Sequence, residues 1–477
     1  MPPERAGPPL HDRLTAIVGA ANLLTGADMA PYCRDWIGTY RWQPLAVLRP
    51  GTTAEVAALL RLAGDAGTAV VPCGGRTGLT GAIHAEGALM LSLERMNRIR
   101  EIRPEARLAV VEAGVVLANL HDAAEAEGLC FPLWFGARGS AQIGGALSTN
   151  AGGSNVLRYG STRALCLGLE VVLADGRVMN LMSELHKDNS GYDLKDLFIG
   201  AEGTLGIITA AVMKLVPRAG AHATAMLAAP SLPAALTLLN RLQAASGGLA
   251  EAFEFMPRTY LELLRARRPD LGLPFAEIHD VTILVELGAT APRDIATRTD
   301  GSVPLVSLLE GTLAEMMNEG LVIDAVLARS EAQRRAIWAR REAAAEITVG
   351  HGHSVDTDVA VPLDRVETFL ERALAEVALL DPGARTATVA HLGDGNLHFS
   401  VLPTRGDTAL ATAITEAVER IVASLGGSFS AEHGIGLSKL ASMRRRKDQV
   451  ALDMMRAVKR TFDPQNILNP GKTLPPA

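Results

Sequence analysis

The chain has 477 residues, enough for two or three domains with a sizeable buried core. Lys and Arg number 46 against 52 Asp and Glu, and aromatic residues make up only 4%, so nucleic acid is disfavoured as a partner. Hydrophobic residues reach 48% and charged residues 21%, which excludes a disordered or fibrous chain. Gly contributes 46 residues, and 20 of them fall between Gly74 and Gly206, so this part of the chain is unusually rich in glycine.

The N-terminal part predicts a mixed α/β domain, which we expect to span residues 1–219. Short β-rich runs alternate with glycine-rich turns and with Ala- and Leu-rich helices such as residues 53–66. The predicted strands cover residues 45–48, 69–72, 89–91, 108–112, 169–173 and 207–215.

The middle of the chain predicts a second domain, over residues 220–420, with an antiparallel sheet covered by helices. The predicted helices cover residues 234–245, 302–318, 330–347 and 363–380. The predicted strands cover residues 252–256, 281–287 and 386–390. The uncharged run 219–240 contains Pro230 and Pro233, so it predicts a strand, a turn and a helix beginning near Ser231 rather than a membrane span. Residues 421–477 are expected to form a helical C-terminal segment.

The cysteines indicate a reducing compartment. Cys33, Cys73, Cys130 and Cys166 are far apart and form no C-x-x-C motif, which argues against a zinc ribbon or a dithiol redox site. The first residues suit a tail leading into an amphipathic helix better than a secretion signal. We therefore expect a cytoplasmic protein, and peripheral contact with a membrane stays open.

Three glycine-rich segments occur in the N-terminal part, at residues 72–81, 139–160 and 198–208. Each alone could be a tight turn that needs positive φ. Three in one domain favour a large phosphate-bearing cofactor, because such a ligand needs close approach to backbone free of side chains. The chain has no G-x-G-x-x-G motif, which argues against a Rossmann-type dinucleotide site.

Residues 390–399 predict a β-hairpin that carries two histidines. With Asp394-Gly395 as a two-residue turn, His391 and His398 would stand directly opposite each other on one face, with Cβ atoms about 4.5–5.5 Å apart. Such a pair can bind one metal ion, or it can be two buried structural histidines.

A carboxylate and a third imidazole occur together in residues 430–436. Glu432 and His433 are neighbours, so both can reach one centre only if the backbone bends there. Two histidines and one carboxylate leave an open position on zinc, as a catalytic site requires, and Mn²⁺ or Fe²⁺ could take the same ligands.

Eight segments together carry a resemblance that runs from about Tyr32 to Pro475. They are residues 72–79, 143–153, 158–160, 191–194, 202–206, 391–398, 431–434 and 463–472. As a set they resemble the FAD-linked D-2-hydroxyacid dehydrogenases of the vanillyl-alcohol-oxidase, or PCMH-type, flavoprotein superfamily.

The resemblance implies a two-subdomain FAD-binding domain, a substrate-binding cap domain and a C-terminal segment that packs back on the FAD domain. It implies noncovalent FAD, zinc on His391, His398 and Glu432, His433 as general base, and Arg341 as the residue that meets the substrate carboxylate. The residues implied to bind FAD are Pro72, Gly74, Gly75, Arg76, Thr77, Gly78, Leu79, Gly139, Ser140, Gly144, Gly145, Asn150, Gly152, Gly153, Tyr159, Gly160, Glu202, Gly206, Ile207 and Asn469.

The implied reaction is the oxidation of a D-2-hydroxyacid to the 2-keto acid. The metal would hold the substrate and act as a Lewis acid, His433 would accept the hydroxyl proton, and the hydride at C2 would pass to flavin N5. Asp356 stands where the hydroxyglutarate type would carry Lys, so we expect D-lactate or a larger apolar D-2-hydroxyacid, with D-2-hydroxyglutarate as the alternative.

Several choices stay open at this stage. A quinone, a cytochrome, an electron-transfer flavoprotein or, as in a flavin oxidase, oxygen could accept the electrons. A flavin enzyme for an aldonolactone or alcohol would keep the cofactor loops without the metal site, and a non-enzymatic flavoprotein subunit is a further alternative. A homodimer is compatible with the sequence.

Overall fold

A computed structural model describes residues 9–348 and 353–476. The first region, residues 9–219, contains two main sheets. A small sheet has the spatial order Leu23–Leu24, Ala46–Leu48, Leu89–Ser92 and Val70–Cys73, and its last three strands are parallel. An antiparallel sheet has the order Ile99–Arg103, Leu108–Glu112, Ile207–Lys214, Cys166–Val172 and Val178–Leu181, and Leu129–Cys130 pairs separately with Val216–Pro217. The central strand Ile207–Lys214 buries seven of its eight residues, which explains its nearly continuous apolar sequence.

Helices of this region contribute to one large core beside the two sheets. The helix Thr53–Asp65 begins where the Thr52 side chain accepts a hydrogen bond from the Glu55 N–H at 3.2 Å, and it buries apolar side chains at helical spacing. The helices are Leu10–Val18, Thr53–Asp65, Leu117–Ala126, Ile143–Thr149, Val156–Tyr159 and Lys195–Phe198, with 3₁₀ turns at Ala20–Asn22 and Gly26–Tyr32.

The second region, residues 220–425, is built on one antiparallel sheet. Its spatial order is Asp324–Leu327, Ala221–Ala229, Val281–Ala289, Ala250–Pro257, Val389–His391, Asn396–Leu402 and Val355–Ala360, and Arg385–Thr386 also pairs with Asn396–Leu402. The predicted α+β class, with an antiparallel sheet covered by helices, is confirmed. The strand Val355–Ala360 was absent from the sequence prediction, because it carries two aspartates and Asp is rare in strands.

Helices cover both faces of this sheet. Alternate residues of the strand Ala221–Ala229 enter two different cores, as the two-residue period of a strand requires. One face packs against Leu232–Ser246, Pro304–Asn318, Val366–Leu380 and Thr408–Ser424, and the other against Arg258–Arg267, Glu331–Glu342 and Ala344–Thr348. Short elements lie at Pro269–Leu271, Pro292–Ile295 and Leu363–Arg365.

Two sequence predictions in this region have clear outcomes. The run 219–240 forms the strand Ala221–Ala229 and a helix whose N-cap is Ser231, as predicted. The single helix predicted over residues 330–347 is instead two helices, Glu331–Glu342 and Ala344–Thr348, and Ala343 is the C-cap of the first. None of the helices in the described part of the chain is long and apolar enough to cross a bilayer.

The C-terminal segment follows the second region and returns to the first. Its helices are Leu440–Arg446 and Gln449–Phe462, after which the chain returns to the first sheet. Val70 N–H donates to the Ile467 carbonyl at 2.7 Å, and Asn469 N–H donates to the Val70 carbonyl at 2.8 Å. Ile467 and Leu468 are buried in the core of the first region. The end of the segment therefore packs against the first region.

Candidate functional site

The histidine hairpin is present, but its predicted register is wrong. His391 pairs with Asn396, and Val389 pairs with His398, so the loop has four residues, not two. The loop is held open from outside the hairpin, because Val361 N–H donates to the Gly395 carbonyl at 3.1 Å and Gly393 N–H donates to the Phe253 carbonyl at 3.2 Å. His391 and His398 are therefore diagonal neighbours on one face, with ring centroids 5.3 Å apart.

Three imidazoles surround the carboxylate of Glu432. Its Oε1 atom lies 3.4 Å from Nε2 of His398 and 3.9 Å from Nε2 of both His391 and His433. Donor atoms of Asp358, His398, Glu432 and His433 all lie within 4.8 Å of one another, and His391 stands at the edge of this group, in contact with Glu432. Nitrogen and carboxylate oxygen in this arrangement form a donor set that suits zinc. The residues present therefore fit the implied metal.

A buried aspartate produces the bend that the sequence requires. One carboxylate oxygen of Asp358 accepts the backbone N–H groups of Ala431, Glu432 and His433 at 3.2, 3.0 and 2.9 Å. The chain then turns at Gly434, whose φ is 77°. Glu432 and His433 can thus face one centre although they are adjacent in sequence.

The protonation of the cluster is set by burial together with the neighbouring charges. Burial, followed by the charge of His391, holds the pKa of His398 well below its usual value, so this ring is neutral and can bind a metal. Burial also acts to lower the pKa of His391, but the Glu254 carboxylate outweighs it and raises that pKa. Burial would raise the pKa of Asp358, but His433, Lys439 and His398 reverse the effect and lower it.

Arg341 lies beside the cluster, on the helix Glu331–Glu342. Its Nε donates to Oε2 of Glu254 at 2.7 Å, and Oε1 of Glu254 lies 2.7 Å from Nδ1 of His391. The buried Nη2 of Arg341 has no hydrogen-bond partner among the described residues. A buried guanidinium with an unused donor suits a ligand carboxylate.

Sequence reasoning missed Glu254 and Asp358 as site residues. Glu254 is an acidic residue in a strand that is otherwise almost wholly buried, which is a signal that a buried partner is required, whereas Asp358 lies in a strand that is only half buried. The sequence does not say which partner, because it depends on strands far away in the chain.

A cavity lies in the N-terminal region, between the glycine-rich segments. Its wall combines residues of all three segments, among them Gly74, Gly145 and Gly206. Buried acceptors Gln142 Oε1 and Asn469 Oδ1, both on its wall, have no hydrogen-bond partner among the described residues. A Cβ on Gly145 would meet no described atom within 4 Å. The wall thus offers acceptors and an open backbone approach, which fits FAD. The implied FAD residues on this wall are Pro72, Gly74, Gly144, Gly145, Glu202, Gly206, Ile207 and Asn469.

Other residues implied to bind FAD do not line this cavity. A Cβ on Gly75 would lie 2.0 Å from the Ser140 carbonyl oxygen, and one on Gly153 would lie 2.2 Å from the Trp134 carbonyl oxygen. These glycines allow loops of the protein to pack together. The remaining residues off the wall are Arg76, Thr77, Gly78, Leu79, Gly139, Ser140, Asn150, Gly152, Tyr159 and Gly160. Gln142 was missed, although it lies inside the second glycine-rich segment.

The cavity and the histidine cluster adjoin each other. Glu202, on the cavity wall, accepts the backbone N–H groups of Ile435 and Gly436 at 2.7 and 2.8 Å. A Cβ on Gly152 would lie 2.6 Å from Oε2 of Glu432, so this loop touches the cluster directly. A ligand in the cavity and a ligand at the cluster would therefore be neighbours.

Comparisons with known proteins agree with this architecture. The family model of the FAD binding domain matches residues 44–182, and that of the C-terminal domain of FAD linked oxidases matches residues 219–473. Mitochondrial D-2-hydroxyglutarate dehydrogenase of Bos taurus is 38% identical over 94% of this chain and 80% of its own length. D-2-hydroxyglutarate dehydrogenase of Stutzerimonas stutzeri is 35% identical over 98% of both chains.

Solved structures show the same fold at low sequence identity. An alkyldihydroxyacetonephosphate synthase matches with a TM-score of 0.74 and 17% identity, over 98% of this chain and 86% of its own. p-Cresol methylhydroxylase matches with a TM-score of 0.72 and 15% identity, over 98% of this chain and 96% of its own. The chain therefore belongs to the FAD-linked oxidases, within the family of FAD-dependent D-2-hydroxyacid dehydrogenases.

Proposed function

We propose that the protein oxidises a D-2-hydroxyacid with a single carboxylate, such as D-lactate or a larger apolar D-2-hydroxyacid, to the 2-keto acid. The observation that carries the proposal is the convergence of three imidazoles on Glu432, directly beside the glycine-rich loop of the FAD cavity. Bound FAD would supply the two-electron acceptor, and a divalent metal, zinc in the first place, would supply a Lewis acid.

Side chains of the protein would bind the metal, the substrate and the transferred proton. His391, His398 and Glu432 would hold the metal, and the free Nη2 of Arg341 would bind the substrate carboxylate. His433 would accept the proton of the 2-hydroxyl group, since an imidazole is the side chain most often used as a general base. Gln142 and Asn469 would accept hydrogen bonds from FAD, and the buried loops around them would exclude water.

The preference for a single carboxylate rests on Asp356. This residue pairs with Ser400 and precedes Asp358 by two positions, so both aspartates belong to the same face of the sheet. Its exposed negative charge would repel a second carboxylate at that end of the site. D-2-hydroxyglutarate is the second candidate, because relatives 35–38% identical to the chain carry that name.

Anaerobic bleaching of the flavin tests the reaction and the substrate together. We expect D-2-hydroxyacids to bleach the flavin rapidly and their L-enantiomers to leave it oxidised, with D-lactate faster than D-2-hydroxyglutarate. Bleaching by an aldonolactone or alcohol alone would contradict the proposal. Bleaching by D-2-hydroxyglutarate alone would support the second candidate.

Metal content tests the role of the histidine cluster. We expect about one zinc per chain, and His391→Ala should lose zinc and activity while it retains FAD. The matched control is His186→Ala, in an exposed loop. Full activity of the His391→Ala variant without metal would exclude metal assistance.

A further inference from the structure

Glu254 is the most deeply buried acid that touches the histidine cluster. It lies in the strand Ala250–Pro257 opposite His391 of the next strand, and its side chain is 0% exposed. Both oxygens are used: Oε1 lies 2.7 Å from Nδ1 of His391, and Oε2 accepts from Nε of Arg341 at 2.7 Å. One carboxylate therefore bridges an expected metal ligand and the expected carboxylate-binding residue.

This bridge has consequences for both partners. When Nδ1–H of His391 donates to Glu254, the Nε2 lone pair is left facing Glu432, which is the tautomer that a metal requires. When Nε of Arg341 is held by Glu254, the buried Nη2 is the donor left for a ligand.

We propose that Glu254 is a positioning residue that couples the metal site to the substrate-carboxylate site. By holding His391 and Arg341 from one buried carboxylate, it sets the distance between the two points at which a 2-hydroxyacid would be held. The proposal rests on the proposed function and adds to it a residue that touches neither metal nor substrate.

The neighbouring strand offers a matched control. Glu286 in Val281–Ala289 is also buried, at 4% exposure, and also holds an arginine, since both its oxygens accept from Arg334 at 2.6 and 2.7 Å. Its other donors are Thr224 and Trp338, so none of its hydrogen-bond partners belongs to the histidine cluster. Replacing Glu286 tests the loss of a buried Arg–Glu pair on this sheet without touching the bridge.

The test compares Glu254→Gln and Glu286→Gln in the FAD-loaded protein. We expect Glu254→Gln to bind zinc about 10–100-fold more weakly in competition with a chelator. It should also raise KM for the best 2-hydroxyacid substrate more than it lowers kcat, and alter the visible spectrum of the Co²⁺-substituted protein. Glu286→Gln should change none of these readouts, and FAD content should be the same in all variants. Unchanged zinc affinity or unchanged KM in Glu254→Gln would overturn the coupling.

Arg341→Met provides an independent measurement if Glu254→Gln folds poorly. Arg341 is not an expected metal ligand, so its loss should weaken zinc binding severalfold only if Glu254 transmits the change to His391. Unchanged zinc affinity in Arg341→Met would overturn the coupling. If the wild-type protein binds no zinc, the metal assignment fails and the coupling fails with it. If wild type binds zinc and oxidises the acid while both variants keep their zinc affinity, the coupling alone fails.

Discussion

Asp358 accepts the backbone N–H of His433 at 2.9 Å, and this bond fixes a bend in which two adjacent residues serve one centre. The same oxygen holds the N–H groups of Glu432 and Ala431, and its partner oxygen accepts from Asn396 at 3.0 Å. Asp358 is thus saturated by hydrogen bonds, which suits a role in organising the cluster better than a role as metal ligand.

Removing the charge of Asp358 should disorganise the cluster without removing any expected ligand. We predict that Asp358→Asn lowers turnover or zinc affinity by about 10–100-fold and leaves FAD content unchanged. The control Asp364→Asn changes a side chain that is 69% exposed and should behave like wild type. Steady-state kinetics and metal analysis on both variants decide the question. Wild-type turnover and zinc affinity in Asp358→Asn would show that the bend forms without this charge.

Reversing the charge at position 356 should change substrate preference. We predict that Asp356→Lys raises the ratio of kcat/KM for D-2-hydroxyglutarate to that for D-lactate by about 10-fold, equivalent to 1.4 kcal/mol. The physical reason is that a cation on the site face of the sheet would attract the second carboxylate. Asp364→Lys, in the exposed turn Leu363–Arg365 that follows this strand, should leave the ratio unchanged. An unchanged ratio in Asp356→Lys would remove the argument against a dicarboxylate.

Tyr159 should act as a link between the two regions. Its hydroxyl donates to Glu251 at 2.6 Å, and the neighbouring Arg158 donates to the same oxygen at 2.8 Å. We predict that Tyr159→Phe lowers the free energy of unfolding by about 1–3 kcal/mol, as expected for a lost bond to a charged group, with FAD affinity unchanged. Tyr192→Phe is the control, because Tyr192 is 96% exposed. Weaker FAD binding by Tyr159→Phe would instead support the role implied by the family resemblance.

Lys472 should make the stability of the FAD-free protein depend on pH. Its side chain is 7% exposed, its Nζ donates to the Pro470 carbonyl at 3.2 Å, and burial lowers its pKa from 10.5 to about 8. The pKa of Lys472 is lower in the folded state than in the unfolded state. The free-energy cost of burying the charged amine is therefore fully present below pH 8 and disappears as the pH rises towards 10.5.

Lys472→Met should therefore stabilise the FAD-free protein at pH 7, by up to about 3 kcal/mol. This advantage should shrink between pH 8 and pH 10, as measured by urea unfolding at several pH values. Lys187→Met, in an exposed loop, is the control and should show no such trend. A constant difference between Lys472→Met and wild type across this range would contradict the prediction.

Much of the fold followed from local patterns. The strand Leu108–Glu112 was predicted to the residue, and the helix Thr53–Asp65 to within one residue, because a cap and an apolar period mark them locally. The hairpin was predicted as an isolated unit, and its register was wrong because Phe253 and Val361 hold its loop from other strands. The glycine-rich segments indicated the FAD-binding domain. Several of their glycines, however, allow loops to pack against each other and do not line the cavity.

The sequence by itself determined the family of the protein and the short motifs that carry its candidate site residues. His391, His398, Glu432 and His433 lie in short motifs, and the glycine-rich segments mark the cofactor domain. Only the tertiary structure decided how these groups are held. Glu254 and His391 are 137 residues apart, and Asp358 and His433 are 75 apart. The period of a strand tells which face a side chain occupies, but the residue opposite it is chosen by the order of strands in the sheet, which no local pattern encodes.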